Sequence, residues 1–159
     1  MKNKFTSRIP WHEKMERPQE PKLVPITPRM SRFGKGFMLI PTPKLVDSVI
    51  RKVPRGKLIT IGTIRKKLAV EHGADVTCPL TTGIFIRIVA EAAEEARAKG
   101  GKRITPYWRV VRDNGALNPK FPGGVSQQTR YLRAEGVAIA RDSKSPIVKE
   151  FEERQCFLK

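Results

Sequence analysis

The sequence predicts an α+β fold that is mainly helical and has the layout of a winged helix-turn-helix. Apolar residues recur with helical spacing in four segments, and glycines and prolines mark the ends of those segments. A hairpin-turn pair, Asn114-Gly115, follows a short apolar run. Two helices separated by a loop and followed by a small hairpin are the arrangement of a helix-turn-helix with a wing.

Composition divides the chain into an arm at residues 1–37, a domain at 38–140 and a tail at 141–159. The arm is basic and contains five of the 13 prolines, which resist helix and sheet, so we expect it to be extended or laid across the domain. Apolar residues such as Trp11 favour docking of part of the arm. The tail is mixed in charge and weakly patterned.

The first two helices have clear start and stop signals. Thr42 followed by Pro43 predicts a helix start, with proline at the first helical position. A turn is predicted at residues 54–57. Thr60 then caps a second helix, and Gly73 suits the end of that helix.

The third helix is predicted to start at Thr81 or Thr82, either of which could cap it, and to end before Gly100 and Gly101. Its apolar residues form a broad buried stripe, which predicts a helix that packs on the core.

A short strand is predicted from Trp108 to Arg112, and the Asn114-Gly115 turn then leads back through residues 116–117. The last helix is predicted from Ser126 to Glu135, with Gly136 as its stop signal.

The formal charge of +17 predicts a polyanionic partner. Residues 1–37 carry nine Lys and Arg against three acidic residues, and residues 38–140 carry eighteen against eight. The basic excess therefore belongs to the domain as well as to the arm, as a nucleic-acid-binding surface requires. RNA stays open as an alternative ligand, because phosphate attraction alone does not separate it from DNA.

Other classes of protein are disfavoured. No apolar run approaches the roughly 18–20 residues that cross a bilayer, and the N-terminus does not have the pattern of a signal peptide. Cys78 and Cys156 are expected to be free thiols, and with His12 and His72 they form no spaced ligand set. We therefore expect no metal, no cofactor and no membrane association. A cytoplasmic monomer is expected, nucleoid-associated if the source is bacterial.

The segment Pro106-Tyr107-Trp108-Arg109-Val110-Val111 is the most informative in the chain. It resembles the active-site signature Pro-Cys-His-Arg-Val of the O6-alkylguanine-DNA alkyltransferases. Tyr107 stands in place of the reactive cysteine and Trp108 in place of the histidine that activates it. A phenol beside an indole, which can only donate, is no nucleophile–base pair.

Five further elements match the family in the same order. Residues 53–64 resemble its Pro-x-Gly-Lys-Val-x-Thr-Tyr-Gly-x-Ile segment, and residues 86–92 resemble its recognition-helix segment Ala-Arg-Ala-Val-Gly-x-Ala. The Gly-Ala-Leu turn at 115–117, residues 121–124 and residues 135–136 complete the series, with the stretch at 70–80 as an insertion. The resemblance covers roughly residues 42–137 and implies the alkyltransferase C-terminal fold.

The resemblance implies DNA binding through the minor groove, with an arginine of the recognition helix replacing the flipped base in the stack. Arg87 matches that arginine; the alternative is a surface arginine that pairs with Glu91 four residues later. Exposed lysines are as readily explained by a solvated face. The other candidate DNA-binding residues are Thr60, Arg65, Lys66, Lys67, Thr81, Thr82 and Arg109.

Several pocket positions depart from the family. The tyrosine that helps to rotate the nucleotide is Ile61, and the position whose backbone N–H faces the O6 atom is Pro122, which has no N–H. Glu135 matches the acid of the family's Cys-His-Glu relay and could accept a hydrogen bond from Trp108 or Tyr107. Val110, Gly123 and Gly124 complete the expected pocket.

Three functions follow from these observations. The first is a non-catalytic, alkyltransferase-like DNA-binding protein that senses alkylated or distorted bases, with repair proteins as candidate partners. The second is a lesion-independent regulatory or nucleoid-associated DNA-binding module. The third, which the sequence disfavours, is an active methyltransferase that uses Cys78 or Cys156.

Overall fold

The computed structural model describes residues 9–141 and 145–158, and within them it has six α-helices and seven short strands. The helices are α1 (Trp11–Glu16), α2 (Pro43–Arg51), α3 (Ile61–Glu71), α4 (Pro79–Ala98), α5 (Gly124–Ala134) and α6 (Phe151–Arg154). The strands are β1 (Lys22–Pro25), β2 (Phe37–Ile40), β3 (Ile59–Thr60), β4 (Val76–Thr77), β5 (Val110–Val111), β6 (Ile139–Arg141) and β7 (Pro146–Val148).

The strands form three small sheets. Strand β2 is central in the first sheet, antiparallel to β1 and parallel to β4. Strands β3 and β5 pair in parallel, and β6 and β7 pair antiparallel. No helix among the described residues has both the length and the apolar character of a membrane span.

The helix-turn-helix consists of α3 and α4. Thr60 caps α3 as predicted, because its hydroxyl accepts a hydrogen bond from the Thr63 amide at 3.0 Å. Gly73 follows the end of the helix with a φ of 65°, a conformation that favours glycine. Thr42 likewise caps α2, with Pro43 as the first helical residue, and this prediction is confirmed.

Helix α4, which we call the recognition helix after the family segment that residues 86–92 resemble, starts earlier than predicted. Cys78 is its N-cap and Pro79 its first residue, so neither Thr81 nor Thr82 caps it. Proline at the first helical position fixes the start, and both threonines fall inside the first turn. The helix ends at Ala98, just before Gly100 and Gly101, as predicted.

The predicted strand at residues 108–112 is only partly confirmed. A 3-10 turn occupies Tyr107–Arg109, and β5 is limited to Val110 and Val111. The turn at Asn114-Gly115 is present, since the Gly115 amide donates to the Arg112 carbonyl at 2.8 Å. The predicted hairpin is confirmed only at its turn: the Arg112 amide donates to the Ala116 carbonyl at 3.0 Å, but Ala116 then pairs with Ile147 and β5 pairs with β3.

The two ends of the chain contribute more structure than their patterns predicted. Helix α1 and strand β1 lie within the arm, and the predicted arm–domain boundary at residues 37–38 falls inside β2. Strand β7 and helix α6 lie within the tail, where Val148 is buried. Residues 1–8 of the arm lie outside the described residues. The last long helix, α5, begins at Gly124, two residues before its predicted start.

The core has two adjoining parts. The larger joins α2, α3, α4 and β5 through aliphatic side chains and includes Tyr107 and Phe121. The smaller includes Leu58, Val111 and Leu132, and Trp108 packs against both parts. The Tyr107–Trp108 segment therefore lies where the recognition helix meets the rest of the domain.

Candidate nucleic-acid interface

Tyr107, in the position of the family's reactive cysteine, is fully buried. Its ring makes edge-on contacts with Trp108, Phe121 and Tyr131, at centroid distances of 5.5, 5.3 and 6.4 Å. Its hydroxyl donates a hydrogen bond of 2.7 Å to Oε1 of Glu94, which lies on the recognition helix α4. The side chain is thus a packing and hydrogen-bonding element inside the protein.

The environment of Tyr107 opposes its ionisation. Burial raises the pKa of the Tyr107 phenol well above its ordinary value, and the hydrogen bond to the Glu94 carboxylate raises this pKa further. A nucleophilic phenolate is therefore suppressed at neutral pH, and the hydroxyl acts as a donor.

Trp108, which matches the family's activating histidine, is hydrogen-bonded to Glu135, which matches the acid of the family's Cys-His-Glu relay. Its Nε1 donates to Oε1 of Glu135 at 3.0 Å, one of the two partners expected for that carboxylate. The other expected partner, Tyr107, donates to Glu94 instead. An indole nitrogen has no lone pair with which to accept a proton, so this contact orients the ring and performs no base chemistry.

Glu135 is also the partner of Arg109. The Arg109 Nη2 atom lies 2.6 Å from Glu135 Oε1, with side-chain exposures of 13% for the arginine and 4% for the glutamate. The Gly56 amide donates to the other carboxylate oxygen at 3.2 Å. Burial by itself opposes the charged form of Glu135, but the hydrogen bonds from Arg109, Trp108 and Gly56 outweigh it and lower its pKa.

Arg109, which the sequence placed among the candidate DNA-binding residues, is engaged inside the protein. Its guanidinium also donates to the Val53 carbonyl at 2.6 Å, so its charge is neutralised and its donors are directed inward. Arg109 thereby ties Glu135 to Val53, in the segment that follows the end of α2.

Sequence reasoning missed Glu94, Tyr131 and Arg97, which complete this cluster. The Tyr131 hydroxyl donates to Glu94 Oε1 at 3.0 Å, and the Arg97 guanidinium lies 4.6 Å from the Tyr131 ring centroid. A partial signal was present: Glu94 follows Ala90 at a spacing of four residues, in line with the buried stripe of α4, whereas Arg97 is exposed.

Of the remaining expected pocket residues, Val110 and Ile61 belong to the core around Tyr107, whereas residues 122–124 lie at the start of α5. Val110 is buried in the same cluster, and Ile61 packs against it. Pro122 is partly buried, and the Gly124 amide donates to the Phe121 carbonyl at 2.8 Å. Gly123 adopts a φ of 74° at the start of α5, and a Cβ there would meet the Gln127 side chain.

The side chains predicted to contact phosphates differ in their exposure and in their partners within the protein. Lys66 is exposed, and Thr81 is partly exposed on the first turn of α4. The Arg65 side chain donates to the Thr77 carbonyl at 3.0 Å and so ties α3 to the turn. Lys67, 7% exposed, lies 2.7 Å from Glu71.

Two of the candidate threonines, Thr60 and Thr82, are buried. Thr82 is fully buried, and its hydroxyl donates to the Cys78 carbonyl at 2.7 Å, so it has no side chain to offer a phosphate. The Thr60 hydroxyl is also buried and is used in capping, which leaves the N-terminus of α3 as its only route to an anion.

Arg87 lies on the outward face of α4, in line with Leu80 and Ile84. Its Nε is 3.9 Å from Glu91 Oε1, and its guanidinium is 6.0 Å from the ring centroid of Trp11 on the docked helix α1. Arg87 therefore points outward, as a DNA-binding arginine would, and also lies near Glu91, as the alternative interpretation expected.

Helix α1 is fixed to α4 by Glu95. The backbone amides of Trp11 and His12 donate to the two Glu95 carboxylate oxygens at 3.0 and 3.2 Å, and the His12 ring contacts the same carboxylate. The arm is therefore docked beside the recognition helix, with Trp11 over Arg87.

The described residues give little support to a reactive cysteine or a metal site. Both cysteines are free thiols; Cys78 is buried at the start of α4 and Cys156 is partly buried in the tail. Among the described residues no three His, Cys, Asp or Glu side chains converge as metal ligands.

The fold has solved counterparts. It is similar to S. pombe Atl1 in complex with damaged DNA containing O6-carboxymethylguanine, with a TM-score of 0.52 and 21% identity over 72% of this chain and 93% of that chain. A second structure, S. pombe ATL in complex with DNA, gives a TM-score of 0.48 and 20% identity over the same shares. No protein-family model and no curated protein matches the chain. The likeness to Atl1 confirms the predicted fold, that of the alkyltransferase C-terminal domain.

Proposed function

We propose that this protein is a non-catalytic, alkyltransferase-like DNA-binding protein that senses alkylated or distorted bases without transferring an alkyl group. The observation that carries the proposal is the placement of Tyr107 within this fold. It stands in the position of the reactive cysteine, is fully buried and donates to Glu94. The solved Atl1 structure with the same fold holds DNA containing O6-carboxymethylguanine.

The residues around Tyr107 support the loss of alkyl transfer. Trp108 has no basic nitrogen, and Glu135 is engaged by Arg109 and Trp108. Transfer to a protein side chain needs an accessible nucleophile and a base that removes its proton. Cys78, the thiol nearest the recognition helix in sequence, is buried at the helix start, and among the described residues no histidine contacts it.

The charge distribution and the helix-turn-helix support DNA as the ligand. Residues 38–140 carry ten more basic than acidic residues, and Lys66 is exposed on α3, the first helix of the helix-turn-helix. We place α4 in the minor groove, with repair proteins as partners that a bound lesion would recruit. Leu80 and Ile84, 60% and 59% exposed, are apolar side chains of the kind that minor-groove proteins insert between base steps.

A lesion-independent DNA-binding module is the second candidate, and one observation favours it. The Tyr107 ring contacts the rings of Phe121 and Tyr131, and we place these rings in the space where the family accepts the flipped base. Binding of a base there would require Trp108 or Tyr131 to move aside, at the expense of their hydrogen bonds.

Titration of two matched duplexes, followed by fluorescence anisotropy, tests the proposal. One duplex carries a single O6-methylguanine and the other carries guanine at that position. We expect tighter binding to the lesion duplex, because a flipped, alkylated base can stack on the partly exposed rings of Trp108 and Tyr131 once they move aside. The intact mass of the protein after incubation is expected to be unchanged.

The outcomes separate the candidates. Equal affinity for the two duplexes would assign the protein to the lesion-independent class. A gain of one methyl mass would establish transfer, and Cys78→Ser and Cys156→Ser variants would then identify the acceptor. Failure to bind either duplex would refute DNA binding altogether.

Arg87→Ala is expected to weaken binding to the lesion duplex roughly tenfold, since an inserted side chain that stacks on bases contributes about 1–3 kcal/mol. Arg87 lies at an outward position of α4, one turn beyond Ile84. Lys99→Ala, at the far end of the same helix, is the matched control because it also removes one exposed positive charge. Equal effects of the two variants would remove Arg87 from the interface.

A further inference from the structure

The loop that joins β1 to β2 forms a closed hairpin, which we call the basic loop (residues 26–36). The Ile26 amide donates to the Gly36 carbonyl at 2.8 Å, and a 3-10 turn at Pro28–Phe33 fills the loop. The loop contains no acidic residue and carries three exposed cations, Arg29, Arg32 and Lys35.

This loop is joined to the helix-turn-helix through the first sheet. Strand β2, which the loop enters, pairs in parallel with β4, so Met38 lies opposite Val76 and Leu39 opposite Thr77. Strand β4 directly precedes the recognition helix, and the Cys78 amide at the helix start donates to the Leu39 carbonyl at 2.8 Å.

Close contacts fix the loop against the turn between α3 and α4. The Asp75 carboxylate accepts the Phe37 amide at 2.8 Å, and the Phe37 carbonyl accepts the Asp75 amide at 3.0 Å. Gly36 has a φ of 93°, and a Cβ at that position would collide with the Asp75 carboxylate. A Cβ at Gly34 would touch Val76. These glycines let the loop approach the turn at this distance.

The cations of the loop remain available to a polyanion. Among the described residues, none of the three forms an ion pair with a carboxylate. Asp75, the acid beside the loop, is engaged by the Phe37 amide. The Arg32 guanidinium lies 4.6 Å from the ring of its neighbour Phe33, which supports the side chain without neutralising it.

We propose that the basic loop is the DNA-binding wing of this protein and that its three cations contact the phosphate backbone beside the groove occupied by α4. This inference rests on the proposed DNA binding. A hairpin that is fixed to the turn of the helix-turn-helix moves with the recognition helix, so its cations reach phosphates in a set register with that helix. The sequence predicted the wing at Asn114-Gly115; the basic loop supplies it from the arm instead.

A triple variant, Arg29→Ala/Arg32→Ala/Lys35→Ala, tests the wing. Its control is Lys99→Ala/Lys102→Ala/Arg103→Ala, which removes the same charge from exposed positions at and beyond the C-terminal end of α4. The 20 residues of α4 separate the two ends by about 30 Å. Duplex affinity is measured by anisotropy over a series of salt concentrations, and thermal unfolding reports whether each variant is folded.

If the loop binds phosphates, its variant should lose roughly a hundredfold in affinity near 0.1 M salt, and its log–log salt slope should be smaller by about 2.7. The control should retain the wild-type slope. An equal loss in both variants, or no loss in either, would overturn the wing. Absence of duplex binding by the wild-type protein would instead refute the proposed function. The variant Arg29→Lys/Arg32→Lys keeps the charge of the loop and should retain most of the wild-type affinity. The loss in the alanine variant is then assigned to the missing charge rather than to a misfolded loop.

Discussion

Replacement of Glu135 by alanine is expected to lower the free energy of unfolding by about 3–5 kcal/mol, the usual result of removing one partner from a buried ion pair. The Arg109 guanidinium is only 13% exposed and would lose its carboxylate partner. The Trp108 Nε1 and the Gly56 amide would lose their acceptor as well. Urea denaturation measures the loss, and Glu152→Ala, at an exposed position, should remain within about 0.5 kcal/mol of wild type.

The pH dependence of stability provides a check on the same carboxylate. The hydrogen bonds that lower the pKa of Glu135 stabilise the folded protein when the group is ionised. This contribution is complete above the ordinary glutamate pKa of about 4.3 and is lost as the pH falls through the lower folded value. The difference between wild type and Glu135→Gln should therefore shrink below about pH 4. A difference that stays constant down to pH 2 would contradict the assigned ionisation.

Local signals in the sequence were sufficient for the helices that begin with a capping residue. Thr42 and Thr60 cap α2 and α3 because each hydroxyl needs only the amide three residues ahead. The start of α4 was misplaced since two threonines competed as caps, and the proline just before them decided the position. The functional segment at Tyr107 and Trp108 was found by resemblance, and the acid that holds Trp108 was identified correctly.

Contacts between distant segments could not be read from local patterns. Strand β5 pairs with β3, about fifty residues earlier, and Ala116 pairs with Ile147, so the hairpin suggested by Asn114-Gly115 is limited to the turn between Arg112 and Ala116. Glu94 follows the buried Ala90 by four residues, but its charge and its charged neighbours are those of an exposed helix end. It becomes an internal acceptor only when α4 packs against the Tyr107 and Tyr131 hydroxyls.

The same reasoning explains the arm. Its prolines and charges predicted a segment with little structure of its own, and α1 and β1 are indeed short. Partners on the domain provide what the arm lacks: Glu95 accepts the first amides of α1, and β2 supplies a neighbour for β1. Helix and strand are set here by tertiary contacts rather than by propensity.

Duplex affinity is expected to fall by roughly a thousandfold or more between 50 and 200 mM salt, the response of a protein that neutralises about six to ten phosphates. Ten excess basic residues in the domain and three in the basic loop make such a number of contacts attainable. Anisotropy titrations of one unmodified duplex at several salt concentrations give the slope. A flat response would refute an interface held by phosphate neutralisation.

The ligand class follows from a parallel series with an RNA duplex of the same sequence. Both duplexes carry regularly spaced phosphates, so a wing and helix that read only charge would give similar affinities at equal salt. The minor groove of A-form RNA is wide and shallow, whereas that of B-DNA is narrow, and apolar side chains such as Leu80 and Ile84 would fit the two differently. Tighter binding to DNA at every salt concentration would therefore locate the discrimination in α4. Equal binding would leave the phosphates as the only feature that the protein recognises.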